Sequence, residues 1–146
     1  VACCDIAIAA DTAKFCLSEV RLGLVPSVIS PYVIAAIGAH QARRYFLTAE
    51  AISATQARSI GLVHEVVPAG GLDDAVEREV ALLLKGGTKA LIACKEMIAA
   101  NAAASVSARR ALKQKTAQLI AQLRVSEEGQ EGLSAFLEKR PPKWTK

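Results

Sequence analysis

Three short apolar runs in the first half of the chain have the length of β-strands. Residues 5–10 and 13–17 place apolar side chains at alternating or contiguous positions and are separated by a turn at residues 11–12. A third run, residues 62–67, ends at Pro68, which cannot donate a ladder hydrogen bond. The pattern therefore predicts short strands bounded by turns.

Helix signals lie between these runs. Ser30 and Pro31 predict a helix start with Ser30 as the cap, and Gly38 predicts the end of that helix before a second one at roughly residues 39–47. The segment before it, residues 18–26, contains a glycine and a proline and is predicted to be irregular.

A second helix start is marked by a capping box. Ser53 and Gln56 have the spacing at which each side chain can bond the other residue's backbone N–H, and Gly61 predicts where this short helix stops.

From residue 71 onward the apolar positions recur with helical period. Gly86 and Gly87 interrupt the pattern, and Ser126 is predicted to cap a last helix whose first turn carries Glu127 and Glu128, where they favour the helix dipole. The predicted helices cover residues 72–84, 88–100, 105–123 and a final stretch from 127 to the prolines at 141 and 142.

The first four residues, Val1 to Cys4, are apolar and are predicted to end a buried helix. No cap or turn precedes them, so we expect an N-terminal part of the protein that packs against this chain to be missing from it. The order of elements predicts two domains: the end of an α/β core at residues 1–68 and a helical subdomain at residues 69–146.

Composition narrows the class of protein. With 52% hydrophobic and 22% charged residues the chain is predicted to be ordered, and a net charge of +4 with 4% aromatic residues does not favour nucleic-acid binding. The four cysteines lie among apolar neighbours and are interpreted as reduced, buried residues of a cytoplasmic protein. Their spacing does not support a metal site, and no run of residues is long and apolar enough to predict a membrane span.

Several segments, in this order, resemble the crotonase (enoyl-CoA hydratase/isomerase) superfamily. They are Cys4-Asp5-Ile6-Ala7-Ile8-Ala9-Ala10-Asp11, Glu19-Val20-Arg21-Leu22-Gly23-Leu24-Val25-Pro26, Leu47-Thr48-Ala49-Glu50, Gly61-Leu62-Val63, Val66-Val67-Pro68 and the ending 131–142. The resemblance covers essentially the whole chain. It implies an α/β fold, namely the C-terminal portion of a crotonase (ClpP/crotonase-like) ββα spiral core followed by a helical trimerisation subdomain.

The resemblance also implies an activity. The expected function is that of an enoyl-CoA hydratase, a lyase that adds water across the α,β double bond of an acyl-CoA substrate, in a homotrimer or hexamer. No cofactor is expected, because coenzyme A is part of the substrate. Alternatives are an enoyl-CoA isomerase, an acyl-CoA thioester hydrolase, or a folding and trimerisation module without activity. The stretch 26–32, where many members are glycine-rich, resembles the methylglutaconyl-CoA hydratase-like branch.

Site residues follow from the matched positions. Glu19 is the expected general acid/base; the alternative is an exposed loop glutamate paired with Arg21. The family's oxyanion hole and its other glutamate fall before Val1, so the chain by itself is expected to be inactive. Residues expected to shape the acyl pocket, or else to be ordinary core, are Leu24, Val25, Ser27, Val28 and Ile29. Phe136 and Lys139 match positions that approach coenzyme A; the alternatives are core packing and a solvated helix end.

Overall fold

The structure is a computed structural model that describes residues 1–105 and 107–145, without the side chain of Arg109. The chain divides into two compact units, Val1–Arg78 and Glu79–Lys146.

Two pairs of short strands organise the first unit. Strand β1 (Ile8–Ala10) pairs in parallel with β4 (Glu65–Val67), and β2 (Lys14–Phe15) pairs antiparallel with β3 (Ile52–Ser53). The three predicted strands are present in shorter form. Strand β3 was missed because its two residues immediately precede a helix and carry that helix's capping signal.

The long helix α1 (Ser30–Thr48) is bent at Gly38, whose φ of 75° and ψ of 155° are not helical. The predicted break is confirmed: two helical segments meet at a kink at Gly38, and α1 denotes both of them. The prediction that Ser30 caps the helix is wrong: Ile29 occupies the cap position, and the Ser30 hydroxyl donates to the carbonyl of Ser27 at 2.9 Å.

Helix α2 (Ala54–Ser59) begins with the predicted capping box. The backbone N–H of Gln56 donates to the Ser53 hydroxyl at 3.2 Å, and the backbone N–H of Ser53 donates to the Gln56 side chain at 2.9 Å. Gly61 follows the helix with a φ of 84°, a left-handed conformation that glycine adopts without steric cost.

The core of the first unit forms where α1 and α2 cover the strands. Its buried residues are Ala9, Val33, Ile37, Ala42, Tyr45, Ile52, Ala54, Ala57, Leu62 and Val63.

Two predictions about buried residues are wrong. Val1 to Cys4 form a turn rather than a helix end, and Cys3, Cys4, Cys16 and Cys94 are exposed rather than buried. Small apolar neighbours in the sequence were insufficient to predict burial: Ala93 is buried, whereas the adjacent Cys94 is exposed.

Four helices follow, the first of which crosses the boundary between the units. They are α3 (Leu72–Leu83), α4 (Thr88–Ala103), α5 (Arg109–Val125) and α6 (Glu127–Leu137). All four were predicted, and Gly86 and Gly87 interrupt the helices where expected. The start of α5 was placed four residues too early. The Ser126 cap is confirmed, since its hydroxyl accepts the backbone N–H of Gly129 at 3.1 Å.

Carboxylates join the elements of the second unit. Glu128 accepts the backbone N–H groups of Lys89 at 3.0 Å and Ala90 at 2.9 Å, in the first turn of α4. Glu128 lies in the first turn of α6, as predicted. Its carboxylate also satisfies two amide donors at the start of a different helix.

The C-terminal residues are held against α6 by a second carboxylate. Both oxygens of Glu131 accept from the guanidinium of Arg140, at 2.6 and 3.1 Å, and one also accepts the backbone N–H of Lys143 at 3.0 Å. The indole N–H of Trp144 donates to the carbonyl of Lys85 at 3.1 Å. The chain after α6 is therefore fastened by polar contacts.

Candidate functional site

Glu19 begins a 3₁₀ helix, Glu19–Leu22, that follows β2. Gly23 ends this turn with a φ of 71°, and its backbone N–H donates to the carbonyls of Glu19 and Val20. Glycine adopts this left-handed backbone without the steric cost that a side chain would add. The predicted irregular segment therefore contains a tight turn that fixes the backbone of Glu19.

The Glu19 side chain is half-buried. Its Oε2 is buried from solvent and has no hydrogen-bond partner among residues 1–105 and 107–145. Buried polar atoms are nearly always paired, so an unpaired carboxylate oxygen requires an explanation. Such an oxygen has lone pairs available to a water molecule or a substrate proton.

Arg21 does not serve as the partner of Glu19 that the alternative interpretation required. Its Nη2 donates to the carbonyl oxygen of Ala49 at 2.8 Å, and the Cys16 thiol donates to the same oxygen at 3.3 Å. Ala49 is fully buried and has a φ of 50° at the end of α1. The segment from Cys16 to Arg21, which carries Glu19, is thus bonded at both ends to one carbonyl.

An apolar cavity of about 340 Å³ lies in the first unit. It includes Leu17 and Cys16, two and three residues before Glu19, and Ile29 from the predicted acyl-pocket residues. The other lining residues are Val1, Ala2, Lys14, Phe15, Val33, Ile37, Ile52 and Leu62. An enclosure of this size and polarity is suited to an apolar ligand group.

The remaining predicted acyl-pocket residues lie on the surface. Leu24, Val25, Ser27 and Val28 are exposed, with Val28 at 84%. The alternative that Val28 is ordinary core is therefore wrong for this chain. The segment forms an exposed apolar surface that follows directly on the Glu19 turn.

Phe136 and Lys139 lie at the end of α6, in the second unit. Phe136 is 80% exposed, so it is not a core residue, and Lys139 is exposed with a φ of 55° just after the helix. The backbone N–H of Lys139 donates to the carbonyl of Phe136 at 3.2 Å, which ties the two residues together.

The second unit also has a cavity of about 540 Å³, lined mostly by polar and charged residues. Its lining residues are Lys89, Glu127, Glu128, Gln130, Glu131, Ser134, Lys143 and Trp144. Hydrogen bonds from the backbone N–H groups of Lys89 and Ala90 lower the pKa of Glu128 despite its partial desolvation. The guanidinium of Arg140 and the backbone N–H of Lys143 lower the pKa of Glu131 to about 2. These carboxylates are ionised and already bonded, so they stabilise structure.

Within the described ranges, no group of three or more His, Cys, Asp or Glu side chains is arranged to hold a metal ion. Among those residues, no helix has the length and apolar character needed to cross a bilayer.

Two residues that hold the segment around Glu19, Cys16 and Ala49, were not predicted from the sequence. Cys16 and Ala49 carry no chemical motif, and their contact spans 33 residues. A partial signal was present at Ala49: a helix that ends without a glycine leaves carbonyls that need donors from elsewhere. The donors themselves are identifiable only in the folded chain.

The chain matches a known protein family over its whole length. A sequence model of the family "Enoyl-CoA hydratase/isomerase" matches residues 1–146. The 2,3-dehydroadipyl-CoA hydratase of Escherichia coli (strain K12) is 31% identical over 140 residues, which are 95% of this chain and 54% of that protein. The chain therefore spans about half the length of the curated relatives it matches.

Solved structures also match this chain closely. An enoyl-CoA hydratase from Shewanella pealeana is 43% identical with a TM-score of 0.90, over 98% of this chain and 52% of its own. An enoyl-CoA hydratase/isomerase from Marinobacter aquaeolei is 33% identical with a TM-score of 0.92, over 99% of this chain and 54% of its own. The predicted fold class, the C-terminal part of the α/β crotonase fold, is confirmed.

Proposed function

Because the chain belongs to the enoyl-CoA hydratase/isomerase family, we propose that the protein adds water across the α,β double bond of an enoyl-CoA thioester, with Glu19 as a general acid/base. The proposal concerns the full-length protein. The observation that carries it is the buried Oε2 of Glu19, which has no hydrogen-bond partner among the described residues.

The chemistry requires one proton and one hydroxide to reach neighbouring carbons. A water O–H bond breaks, the oxygen bonds to the β-carbon, and the π electrons move onto the thioester as an enolate. A proton then bonds to the α-carbon. A carboxylate near both carbons can accept the proton from water or deliver one to carbon. Glu19 is proposed to hold the proton in transit.

The position of Glu19 supports this role. Partial burial limits competing solvent, and the 3₁₀ turn and the two bonds to Ala49 fix its backbone. A positioned carboxylate contributes more than a mobile one because the reacting atoms must be held at near-contact distance. The apolar cavity beside Leu17 offers space for part of an acyl chain.

The proposal extends to the residues that bind the substrate. The acyl pocket is proposed to involve Leu24, Val25, Ser27, Val28 and Ile29, with a branched substrate such as methylglutaconyl-CoA supported by the resemblance of residues 26–32 to that branch. Phe136 and Lys139 are proposed to contact coenzyme A; an exposed ring and an exposed ammonium suit a base and a phosphate.

Assembly and location complete the proposal. The protein is proposed to be a cytoplasmic homotrimer or hexamer that needs no cofactor, because coenzyme A is part of its substrate.

The experiment follows the loss of enoyl-CoA absorbance in the full-length protein and in its Glu19→Gln variant. We expect kcat to fall roughly 10²- to 10⁴-fold, the usual contribution of general acid/base catalysis. Glu65→Gln is the matched control, because Glu65 is a carboxylate of the same unit whose two oxygens already accept from Arg78 at 2.7 Å. Unchanged turnover in Glu19→Gln would remove Glu19 from the mechanism.

The products that the full-length protein forms distinguish the alternative activities. A hydratase converts crotonyl-CoA or methylglutaconyl-CoA to a 3-hydroxyacyl-CoA, an isomerase moves the double bond, and a hydrolase releases a free thiol that a thiol reagent detects. Absence of all three products from the full-length protein would favour the module without activity.

A further inference from the structure

We propose that Arg21 is a positioning residue for Glu19, acting through the Ala49 carbonyl with Cys16 as a second, weaker donor. The inference rests on the proposed function of Glu19 and adds the device that holds it. Arg21 itself is not proposed to touch the substrate.

The contact has an unusual arrangement. Two side chains five positions apart, Cys16 and Arg21, donate to one oxygen, so the segment between them forms a closed loop fastened at a single point. Glu19 lies inside that loop. The receiving residue, Ala49, is fully buried, and its own N–H donates to the carbonyl of Tyr45 at 3.1 Å. The anchor is therefore part of the ordered core.

Loss of the anchor would have a specific consequence. The backbone bonds of the turn are local: Arg21 N–H donates to Ser18 at 3.0 Å and Leu24 N–H donates to Glu19 at 3.0 Å. They preserve the shape of the turn but do not attach it to the rest of the unit. Without the Arg21 bond the turn can shift as a body, and a displacement of about 1 Å at a catalytic group can cost about 100-fold in rate.

The chemistry of Arg21 explains why this residue type suits the task. A guanidinium presents several N–H donors in fixed directions and has no acceptor atom, so it is well suited to bonding a neutral carbonyl. The Cys16 thiol is a weak donor and contributes less.

The experiment compares Arg21→Met with Arg21→Lys in the full-length protein. Methionine keeps an apolar stem and removes every donor, whereas lysine retains one that can still reach a carbonyl. We expect Arg21→Met to lower kcat roughly 10- to 100-fold with KM nearly unchanged, and Arg21→Lys to recover most of that loss.

Arg44→Met is the matched control. Arg44 lies near the same end of α1 and contacts Glu50 and the ring of Tyr45, but it does not bond the Ala49 carbonyl. Its removal deletes an equal charge and should leave kcat unchanged. An equal fall in kcat for Arg44→Met and Arg21→Met would overturn the inference, since loss of charge near the helix end would then suffice.

A double variant separates positioning from general destabilisation. In the Glu19→Gln background, Arg21→Met should cost nothing further, because it acts only through Glu19. If it lowers the residual activity by the same factor as in the wild type, Arg21 acts independently and the inference is wrong.

Two outcomes distinguish this inference from the proposed function. Full activity in Glu19→Gln removes the mechanism itself, whereas an impaired Glu19→Gln with an active Arg21→Met removes only the positioning role. Should Arg21→Met not accumulate as folded protein, Arg21→Gln decides, because it also removes the guanidinium and keeps a polar side chain at this position. A fall in kcat of about 10-fold or more with KM nearly unchanged supports the anchor, and unchanged kcat contradicts it.

Discussion

The two units of the chain are stabilised in different ways. The first surrounds its strands with a cluster of buried apolar residues and leaves one buried carboxylate oxygen, on Glu19, without a partner among the described residues. Among the described residues of the second, the buried apolar side chains are Ala93 and Ala135, and its carboxylates Glu128 and Glu131 accept several hydrogen bonds each.

The two units therefore contain carboxylates that differ in how many hydrogen bonds their oxygens accept. A carboxylate whose oxygens are already bonded lowers the free energy of the fold and has little capacity for another proton. A half-buried carboxylate with an unpaired oxygen contributes less to stability, and that oxygen can still accept a hydrogen bond. Position in sequence does not distinguish the two kinds, because Glu19 and Glu128 both lie in the first turn of a helix.

The largest expected effect tests whether the apolar core stabilises the first unit. Ile52 is 1% exposed and is the largest fully buried side chain among those that the structure describes. Ile52→Ala should lower the free energy of unfolding by about 2–5 kcal/mol, measured by urea denaturation, since it removes apolar contacts and leaves a cavity. Leu47→Ala, at a position 73% exposed in the same unit, is the control and should change it by less than about 0.5 kcal/mol. Equal losses would contradict the comparison.

A smaller effect is expected at the tight junction between α5 and α6 in the second unit. A methyl group on Gly129 would overlap the carbonyl oxygen of Leu123, a backbone atom that cannot rotate away. Gly129→Ala should therefore cost about 1–3 kcal/mol in the same measurement. Gly71→Ala, where a Cβ meets nothing within 4 Å, should be nearly neutral. An unchanged free energy of unfolding in Gly129→Ala would contradict the close contact between Gly129 and the Leu123 carbonyl.

The smallest effect concerns Glu131 and depends on pH. Its pKa is lowered from 4.5 to about 2, chiefly by Arg140, so the ionised form is favoured in the folded chain. The resulting stability is fully present above pH 4.5 and is lost as pH falls towards 2. Glu131→Gln should lower the melting temperature at pH 7, less than Gly129→Ala does because Arg140 is partly exposed and water screens the pair.

The pH series supplies the control for that variant. Wild type and Glu131→Gln should converge in melting temperature between pH 4.5 and 2, because protonation removes the same charge that the substitution removes. A difference that persists undiminished at pH 2 would mean that packing, rather than ionisation, explains the loss.

Much of the fold was predictable because its signals are local. Gly38, the Ser53–Gln56 capping box, Gly61 and the glycines at 86 and 87 each act through backbone geometry within a few residues. Helix ends with a side-chain cap, such as Ser126, were located well. Those without one, such as the starts of α1 and α5, were misplaced by up to four residues because tertiary packing determines where such helices begin.

The candidate site was predictable in part. Glu19 was identified through its family motif, and the structure gives it a half-buried position; its catalytic role remains a proposal. The exposure of Val28 and of the four cysteines was not predictable, because burial depends on which surfaces meet after the chain folds.

The sequence by itself determined the family, the order of the helices and of three of the four strands, and the residue at the proposed catalytic position, since each depends on neighbours along the chain. Only the tertiary structure decided that Arg21 and Cys16 share the Ala49 carbonyl, that Glu128 caps α4, and that one Glu19 oxygen is buried without a partner. The physical reason is distance: these contacts join residues 28 to 39 positions apart, and only folding brings such groups together.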